Sequence, residues 1–372
     1  MSRLKELDFL RGIAIILVLL RHIPLFTFTK GTGWVPGWIG VDLFFVLSGF
    51  LVSGLLFKEY LKFGNVRPKL FLIRRGFKIY PIYYIFYIPY LVPRIMERGW
   101  SCLADRGFLS DMSFTQNFIN GLGWAYGASW SLAVEEHFYF GLSFLLWLAS
   151  KYKFIKIHKE DRSKKNMSLP NIILSGMLFC FFLRILGNYY FPSQQIRLFT
   201  NTQFRIDSLL AGVLISYFFY FDRDRIERFY FTHKYLLFLV AIIGLAWVPF
   251  FDPLPSFFVK TIGFSLVYIS FGILLVTFLI TKDIVVVLNK IFSCILVSTI
   301  SKIGYCSYSI YIIHLFIMLM GYRLFSRFNL YNHYLFFILA FSVSILVGMF
   351  MTYKIERYFL SIRDKYFSSR IG

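Results

Sequence analysis

The feature that most constrains this chain is a series of apolar runs, each about 20 residues long, that recur along the whole sequence. An α-helix needs about 20 apolar residues to cross the hydrocarbon core of a bilayer, where the backbone must satisfy its own hydrogen bonds. Ten runs fit, at residues 9–29, 36–57, 79–96, 130–150, 170–187, 203–221, 235–251, 256–281, 304–326 and 335–355. The sequence therefore predicts an all-α, polytopic membrane protein, a bundle of about ten transmembrane helices.

Composition excludes the other broad classes of protein. The chain is 58% hydrophobic and only 16% charged, whereas soluble domains are roughly 45–50% apolar and about 25% charged. A cytosolic enzyme, a disordered chain and a disulfide scaffold are excluded. The net charge of +21 would suggest a nucleic-acid partner in a soluble protein, but basic residues of a membrane protein gather in its cytoplasmic loops. We therefore expect the partner to be a lipid bilayer, namely the plasma (inner) membrane. We expect no nucleic-acid partner.

The distribution of Lys and Arg predicts the orientation. With the N-terminus inside, 29 of the 40 basic residues fall in cytoplasmic segments and 9 in outside segments. The positive-inside rule then places both termini in the cytoplasm. The longest outside segment is 97–129, and 58–78 is a basic cytoplasmic hairpin. Residues 283–303 fit either an interfacial helix or a short re-entrant segment.

The first apolar run carries ionisable residues, which are costly in a membrane and usually functional. Asp8 and Arg11 lie near its start, and His22 follows eleven residues after Arg11. In a helix this spacing puts Arg11 and His22 on one face, about 16 Å apart. A cation at the cytoplasmic mouth and a deep imidazole suit a long ligand with an anionic head and a reactive tail. The alternative is that Arg11 snorkels to the interface and His22 makes a polar helix contact.

A second polar stripe lies on the fourth run, where Ser131, Glu135 and Tyr139 recur every four residues behind Trp130. A carboxylate at Glu135 is suited to orienting or deprotonating an imidazole. The alternative is that it lies at the interface in contact with water.

Three basic residues, Arg74, Arg75 and Lys78, directly precede the third run on its cytoplasmic side. They are suited to binding phosphates. The alternative is that they set the topology and contact anionic lipid headgroups.

For the remaining polar residues, structural roles are favoured over catalytic ones. Ser48, although a possible nucleophile, favours close helix packing, and Asp42 lies near the outer end of the second run. Arg205 and Asp207 begin the sixth run, where we expect them to pair with each other. His314 is a second buried histidine, for which a structural role is favoured.

Taken together, these segments resemble the acyltransferase-3 family of integral-membrane O-acyltransferases. The resemblance spans residues 7 to about 355 and is carried, in order, by residues 7–14 with His22, 44–50, 74–83, 130–139 and 307–314. The third segment departs from the family pattern, because Lys78 stands where the family has Arg. A lysine lacks the fork of an arginine and cannot bind a phosphate in bidentate fashion.

The resemblance implies that an acyl group, most commonly acetyl, moves from cytoplasmic acetyl-CoA to a hydroxyl of a cell-surface or lipid-linked polysaccharide. It implies catalytic roles for His22 and Glu135, and CoA binding by Arg11, Arg74, Arg75 and Lys78. The remaining site residues would support the substrate or the structure: Asp8, Asp42, Ser48, Trp130, Ser131, Tyr139, Arg205, Asp207 and His314.

The domain organisation expected from this resemblance is one integral-membrane acyltransferase domain over residues 1–360 and a short basic cytoplasmic tail over 361–372. No fused extracytoplasmic domain is expected. The four cysteines show no metal-ligand spacing, so we expect no metal site. Only Cys102 falls in a predicted outside segment, so we expect no disulfide within the chain. The main alternative function is transport of a sugar, a lipid or an ion, since buried charges also occur in transporters. A non-catalytic scaffold or sensor would leave the Arg11–His22 alignment without a purpose.

Overall fold

The computed structural model describes residues 5–22, 36–153, 155, 157, 168–330 and 332–371. Helices dominate this part of the chain, which contains no strand, as predicted for an all-α protein. The α-helices are α1 (Lys5–His22), α2 (Ile39–Phe63), α3 (Pro68–Arg98), α4 (Arg106–Met112), α5 (Gln116–Ile119), α6 (Trp130–Tyr152), α7 (Leu169–Tyr190), α8 (Gln195–Thr200), α9 (Thr202–Phe221), α10 (Arg223–Ala246), α11 (Phe264–Ile280), α12 (Ile284–Phe292), α13 (Cys294–Tyr305), α14 (Ser307–Arg327), α15 (His333–Met351) and α16 (Arg357–Tyr366). Single π-helical turns, Val259–Gly263 and Thr352–Glu356, precede α11 and join α15 to α16.

The long helices confirm a multi-pass membrane protein. Each of the ten predicted runs overlaps one long helix, although residues 23–29 of the first lie outside the described residues. Within the described part of the chain, eight helical segments are long and apolar enough to cross a bilayer, or nine if α12 and α13 count as one broken span. The first and third runs are not among the eight, since α1 carries several charges and α3 is rich in tyrosine and proline.

The segment that the sequence left open, 283–303, forms two helices rather than one straight span. The axes of α12 and α13 bend by 118° at the break between them. Ser293 lies at this break with a positive φ of 79°, and its hydroxyl accepts a hydrogen bond from the amide of Leu296. The bend lets α13 turn back against α1.

Helix α1 lies in the interior because glycines let its neighbours approach closely. A Cβ atom on Gly304 of α13 would lie 1.8 Å from the carbonyl oxygen of Asp8, and one on Gly12 would lie 2.2 Å from that of Ile300. On another side, a Cβ on Gly40 of α2 would lie 2.5 Å from the carbonyl oxygen of Ala14. Small residues are the usual means of close helix packing in membranes. These contacts fix the positions of Arg11 and His22 relative to α2 and α13.

Helices α2 and α9 form the other close pair of the interior. A Cβ on Gly49 would lie 2.0 Å from the carbonyl oxygen of Leu209, and one on Gly212 would lie 2.1 Å from that of Val46. By contrast, α7 and α10 expose many large apolar side chains, such as Phe179 and Ile242. Such surfaces are suited to contact with lipid tails.

The long loop predicted at 97–129 folds into a compact cap that contains α4 and α5. Its centre is the buried carboxylate of Asp111, which accepts hydrogen bonds from the backbone amides of Trp124 and Ala125 and from the hydroxyl of Tyr87. Burial raises the pKa of Asp111, and the hydrogen bonds from the two amides oppose that shift. The ring of Trp124 also stacks under the guanidinium of Arg94 at 3.9 Å.

The end of α2, the start of α3 and the end of the chain share one side of the molecule, which we call the basic face. Arg74 of α3 pairs with Asp364 of α16, and Arg370 pairs with Glu59 of α2. The rings of Phe77 and Phe367 lie 5.6 Å apart. That this face is cytoplasmic stays a prediction of the positive-inside rule.

Candidate active site

A cavity opens between α1, α2, α3, α6 and α14 near the basic face. Its polar lining combines three basic residues with a carboxylate and several hydroxyls: Arg11, Arg75, Lys78, Glu135, Ser48, Ser131, Tyr139, Tyr305, Ser307, Tyr308 and Tyr311. The apolar lining comes mainly from α2, including Phe44 and Phe45. The polar stripe predicted on the fourth run, Ser131 to Tyr139, therefore faces one cavity together with Arg11.

The carboxylate of Glu135 anchors a chain of hydroxyl groups in this cavity. The Tyr139 hydroxyl donates to Oε2 of Glu135 at 2.7 Å. A tyrosine hydroxyl has one proton, so Ser48, whose Oγ lies 2.9 Å from the Tyr139 oxygen, donates to it. The guanidinium of Arg75 lies 5.4 Å from the Tyr139 ring centre. Glu135 is thus half-buried in the lining of the cavity and is held there by specific partners.

The far end of the cavity is closed by Ser131 and Tyr311. Their hydroxyl oxygens lie 2.7 Å apart, and the Tyr311 hydroxyl donates to the carbonyl of Ala128 at 2.8 Å. The cavity lining in the described part of the chain includes neither His22 nor His314. The cavity that begins at Arg11 therefore does not extend to His22, and the ring of Tyr311, which lines it, lies 5.6 Å from the ring of His314.

His22 and His314 form a pair beyond this closure. Nε2 of His314 lies 3.3 Å from Nδ1 of His22, and the two rings are 4.9 Å apart. Nδ1 of His314 lies 2.6 Å from the carbonyl oxygen of Tyr311. A carbonyl only accepts hydrogen bonds, so this Nδ1 carries the proton, and Nε2 of a neutral His314 is an acceptor.

The arrangement of the pair then fixes the tautomer of His22. Its Nδ1 faces two acceptors, Nε2 of His314 and the carbonyl oxygen of Val18 at 3.0 Å, so Nδ1 is the protonated nitrogen. Nε2 of a neutral His22 consequently keeps its lone pair. No described residue forms a hydrogen bond with this nitrogen. An imidazole held with one unprotonated nitrogen free is the form that accepts a proton from a hydroxyl.

The residue that orients His22 is therefore His314 and not Glu135, which corrects one interpretation of the sequence. Glu135 lies on the cavity side of Tyr311 and is engaged by Tyr139. The structural role expected for His314 is more specific than packing, because this side chain is fully buried and makes both hydrogen bonds described above.

The four basic residues expected to bind CoA occupy two neighbouring places. Arg11, Arg75 and Lys78 line the cavity, whereas Arg74 lines an adjoining groove and pairs with Asp364 at 3.0 Å. Arg11 lies 3.7 Å from Asp8. Lys78 pairs with the buried carboxylate of Glu356. In the described part of the chain, Arg75 makes no ion pair and contacts the rings of Phe71 and Tyr139.

The expected pairing of Arg205 with Asp207 is wrong. Arg205 donates to both carboxylate oxygens of Asp42 at 2.8 Å, and Asp207 pairs with Arg184 of α7. Residues two apart on a helix point in different directions, so Arg205 and Asp207 cannot face each other. The Asp42–Arg205 pair is buried away from the cavity, between helices α2 and α9. Trp130, 5.5 Å from this guanidinium, packs against the pair.

Three residues of the site were missed by reasoning from the sequence. Glu136 is buried and accepts a hydrogen bond from Tyr80 at 2.8 Å. Tyr126, in the 97–129 loop, donates to the carbonyl of Tyr311. Glu356 holds Lys78. An acidic residue next to an apolar run was the available signal for Glu356, whereas Tyr126 carried none.

The chain is similar to known acyltransferases over much of its length. The model of a family described as an acyltransferase domain matches residues 4–354. A peptidoglycan O-acetyltransferase of Listeria monocytogenes is 30% identical over 232 residues, which are 59% of this chain and 34% of the relative. A Staphylococcus aureus protein provisionally named O-acetyltransferase is 25% identical over 243 residues, 58% of this chain and 35% of the relative.

A Bacillus subtilis protein provisionally named peptidoglycan O-acetyltransferase is 31% identical over 152 residues, 36% of this chain and 22% of the relative. No solved structure matches this chain. The chain thus spans about a third of the length of the first two relatives.

Proposed function

Because the chain belongs to the acyltransferase-3 family of acyltransferase domains, we propose that it is a plasma-membrane O-acetyltransferase that transfers an acetyl group from acetyl-CoA to a hydroxyl of a cell-envelope glycan. The names of the matched relatives support O-acetylation and point to a cell-wall glycan as the class of acceptor. The acceptor hydroxyl and its glycan are part of the proposal.

The main support for the proposal is the order in which α1, α3 and α14 place their functional groups. Basic side chains of Arg11, Arg75 and Lys78 lie at one end, and a cavity lined by hydroxyls follows. Beyond Tyr311 lies an imidazole whose Nε2 forms no hydrogen bond with a described residue. Phosphates bind well to arginines and lysines. Pantetheine is long enough to extend from such a cationic mouth into the interior.

In the proposed reaction, the thioester lies at the closed end of the cavity and the acceptor hydroxyl approaches Nε2 of His22 from the opposite side. His22 takes the hydroxyl proton as the acceptor oxygen attacks the thioester carbonyl. The carbon–sulfur bond then breaks, and the CoA thiolate receives a proton. The Ser131–Tyr311 hydrogen bond separates the two reactants, so donor binding must displace the Tyr311 side chain.

Glu135 supports this reaction indirectly. Its carboxylate holds the Tyr139 hydroxyl, which in turn orders Ser48. We propose that this chain of hydroxyls positions the acyl end of the donor, and that Arg75 contributes positive charge beside it. His314 is a positioning residue, since it acts through His22.

The test uses the purified full chain in nanodiscs with acetyl-CoA labelled in its acetyl group and soluble cell-wall glycan fragments as acceptors. Release of CoA that depends on the acceptor, together with labelled glycan, is the expected result. His22→Ala should abolish transfer. The matched control is His233→Ala, because His233 is exposed on α10 and distant in sequence from both polar stripes.

Two outcomes would contradict the proposed function. Transfer by His22→Ala at the wild-type rate would remove the assigned role of the imidazole. Uptake of glycan into vesicles without any release of CoA would replace the proposal with a transport function.

A further inference from the structure

Beside the cavity, a second groove lies on the basic face between the end of α2, the start of α3 and the C-terminal segment. Arg363, Asp364 and Arg370 of that segment line it together with Arg74 of α3 and Glu59 of α2. The groove adjoins the cavity, because Arg75 and Lys78 line both. We call it the C-terminal groove.

The C-terminal groove holds more positive than negative charge. Its lining contains the basic residues Arg74, Arg75, Lys78, Arg363 and Arg370, but only two acidic residues, Glu59 and Asp364. Lys78 is already neutralised by the buried Glu356. Four arginines therefore share two carboxylates, which leaves an excess of positive charge for an anion.

The arginines of the groove are held in place by their partners. Asp364 accepts from Arg74 at 3.0 Å and from Arg363 at 2.9 Å. Arg370 donates to Glu59 at 2.6 Å and to the side chain of Asn65 at 3.1 Å. Its guanidinium lies 4.1 Å from the centre of the Phe63 ring. A guanidinium held in this way loses less rotamer freedom when it binds a ligand.

We propose that the C-terminal groove binds the phosphates of the nucleotide part of the acyl donor, and that Arg363 and Arg370 contribute to that binding. The proposal rests on the proposed function, because it assumes that the donor is acyl-CoA. Arginine forks suit phosphate oxygens. With the phosphates in this groove, the pantetheine arm passes Arg75 and Lys78 into the cavity.

One of the two carboxylates then holds the place of a phosphate until the donor binds. Asp364 is half exposed, with 56% of its side chain accessible, so it can move away from Arg74 and Arg363. Glu59 is more buried, and its Oε1 also accepts from the backbone amide of Arg67. The Asp364 contact is therefore the one that exchanges, and Asp364→Asn should tighten donor binding.

The test compares two acetyl donors in nanodiscs of phosphatidylcholine alone. Acetyl-CoA carries the phosphates of the nucleotide, whereas S-acetyl pantetheine carries none. For Arg370→Ala we expect the KM for acetyl-CoA to rise about tenfold, as is typical for loss of one charge-assisted hydrogen bond, with kcat unchanged. The kinetics with S-acetyl pantetheine should not change. Arg363→Ala should behave in the same way.

Lys365→Ala is the matched control. Lys365 is exposed on α16, lies 5.3 Å from the centre of the Tyr366 ring and lines neither the groove nor the cavity. The KM for acetyl-CoA of this variant should stay at the wild-type value.

Several results would overturn the inference. An equal loss with both donors would show that the C-terminal segment only supports α3. A KM unaffected by Arg370→Ala and Arg363→Ala would show that the phosphates bind elsewhere. If the KM effect appeared only after anionic lipid was added to the nanodiscs, the groove would be a lipid-headgroup site. Failure of the proposed function can be told apart from failure of this inference. In that case the wild-type protein would neither bind CoA in calorimetry nor turn over either donor.

Discussion

The buried pair of Asp42 and Arg205 gives the sharpest test of how this bundle is held together. Both side chains are essentially inaccessible, and the guanidinium donates to both carboxylate oxygens at 2.8 Å. Ser208 adds a third hydrogen bond to Asp42 at 3.0 Å. Removing one member of such a pair leaves the other as an uncompensated charge in the interior, which costs about 3–5 kcal/mol.

We therefore expect Asp42→Asn to lower the free energy of unfolding by about 3 kcal/mol, near the lower limit because the amide still accepts one hydrogen bond. Arg205→Met should cost at least as much, since Asp42 then loses its counter-charge. The double variant should cost much less than the two single variants added together, with a coupling energy of about 2 kcal/mol.

The measurement is reversible unfolding in mixed micelles of SDS, followed by tryptophan fluorescence, for the wild type and the three variants. The control is the exposed pair Arg223–Glu227 on α10, at 2.7 Å, for which we expect a coupling of only about 0.5 kcal/mol. Additive costs at Asp42 and Arg205, with a coupling near that of the control pair, would refute the reasoning.

Three further predictions concern the site and its support. His314→Ala should lower kcat about 10²-fold and shift its pH profile while leaving the KM for acetyl-CoA unchanged, because His22 loses its tautomer partner; steady-state kinetics across pH would measure this, and an unchanged profile would contradict it. Glu135→Gln should lower transfer in the labelled-acetyl assay by weakening the bond to Tyr139, and wild-type activity would remove Glu135 from the site. Gly304→Ala should cost about 1–3 kcal/mol in the SDS assay, because its Cβ would lie 1.8 Å from the Asp8 carbonyl; equal stability to Gly141→Ala, whose Cβ would meet nothing within 4 Å, would refute it.

Much of the fold could be predicted because the membrane limits the choices. Apolar runs of this length have to form helices in lipid, so the ten runs predict the positions of the long helices closely. The periodicity of polar residues within one helix also predicted correctly which side chains share a face. The four-residue spacing of Ser131, Glu135 and Tyr139 puts all three side chains in one cavity, because that spacing is a property of the helix itself.

Partners from different helices could not be predicted in the same way. Arg205 has two acidic candidates at similar depth, Asp42 and Asp207, and only the rotation of α9 against α2 selects Asp42. The same holds for His314, which is 292 positions from His22 in sequence and reaches it only because α14 lies beside α1.

The sequence by itself determined the helical class, the spans, the basic segments and the residue types of the site, since these follow from hydropathy and local helical geometry. The tertiary structure decided which nitrogen of His22 carries the proton, where the cavity closes and how the C-terminal segment meets Arg74. The physical reason is that hydrogen bonds and ion pairs depend on distances of a few tenths of an ångström between different helices. Such distances are set by the close packing at residues such as Gly12 and Gly304, and no pattern along a single helix records them.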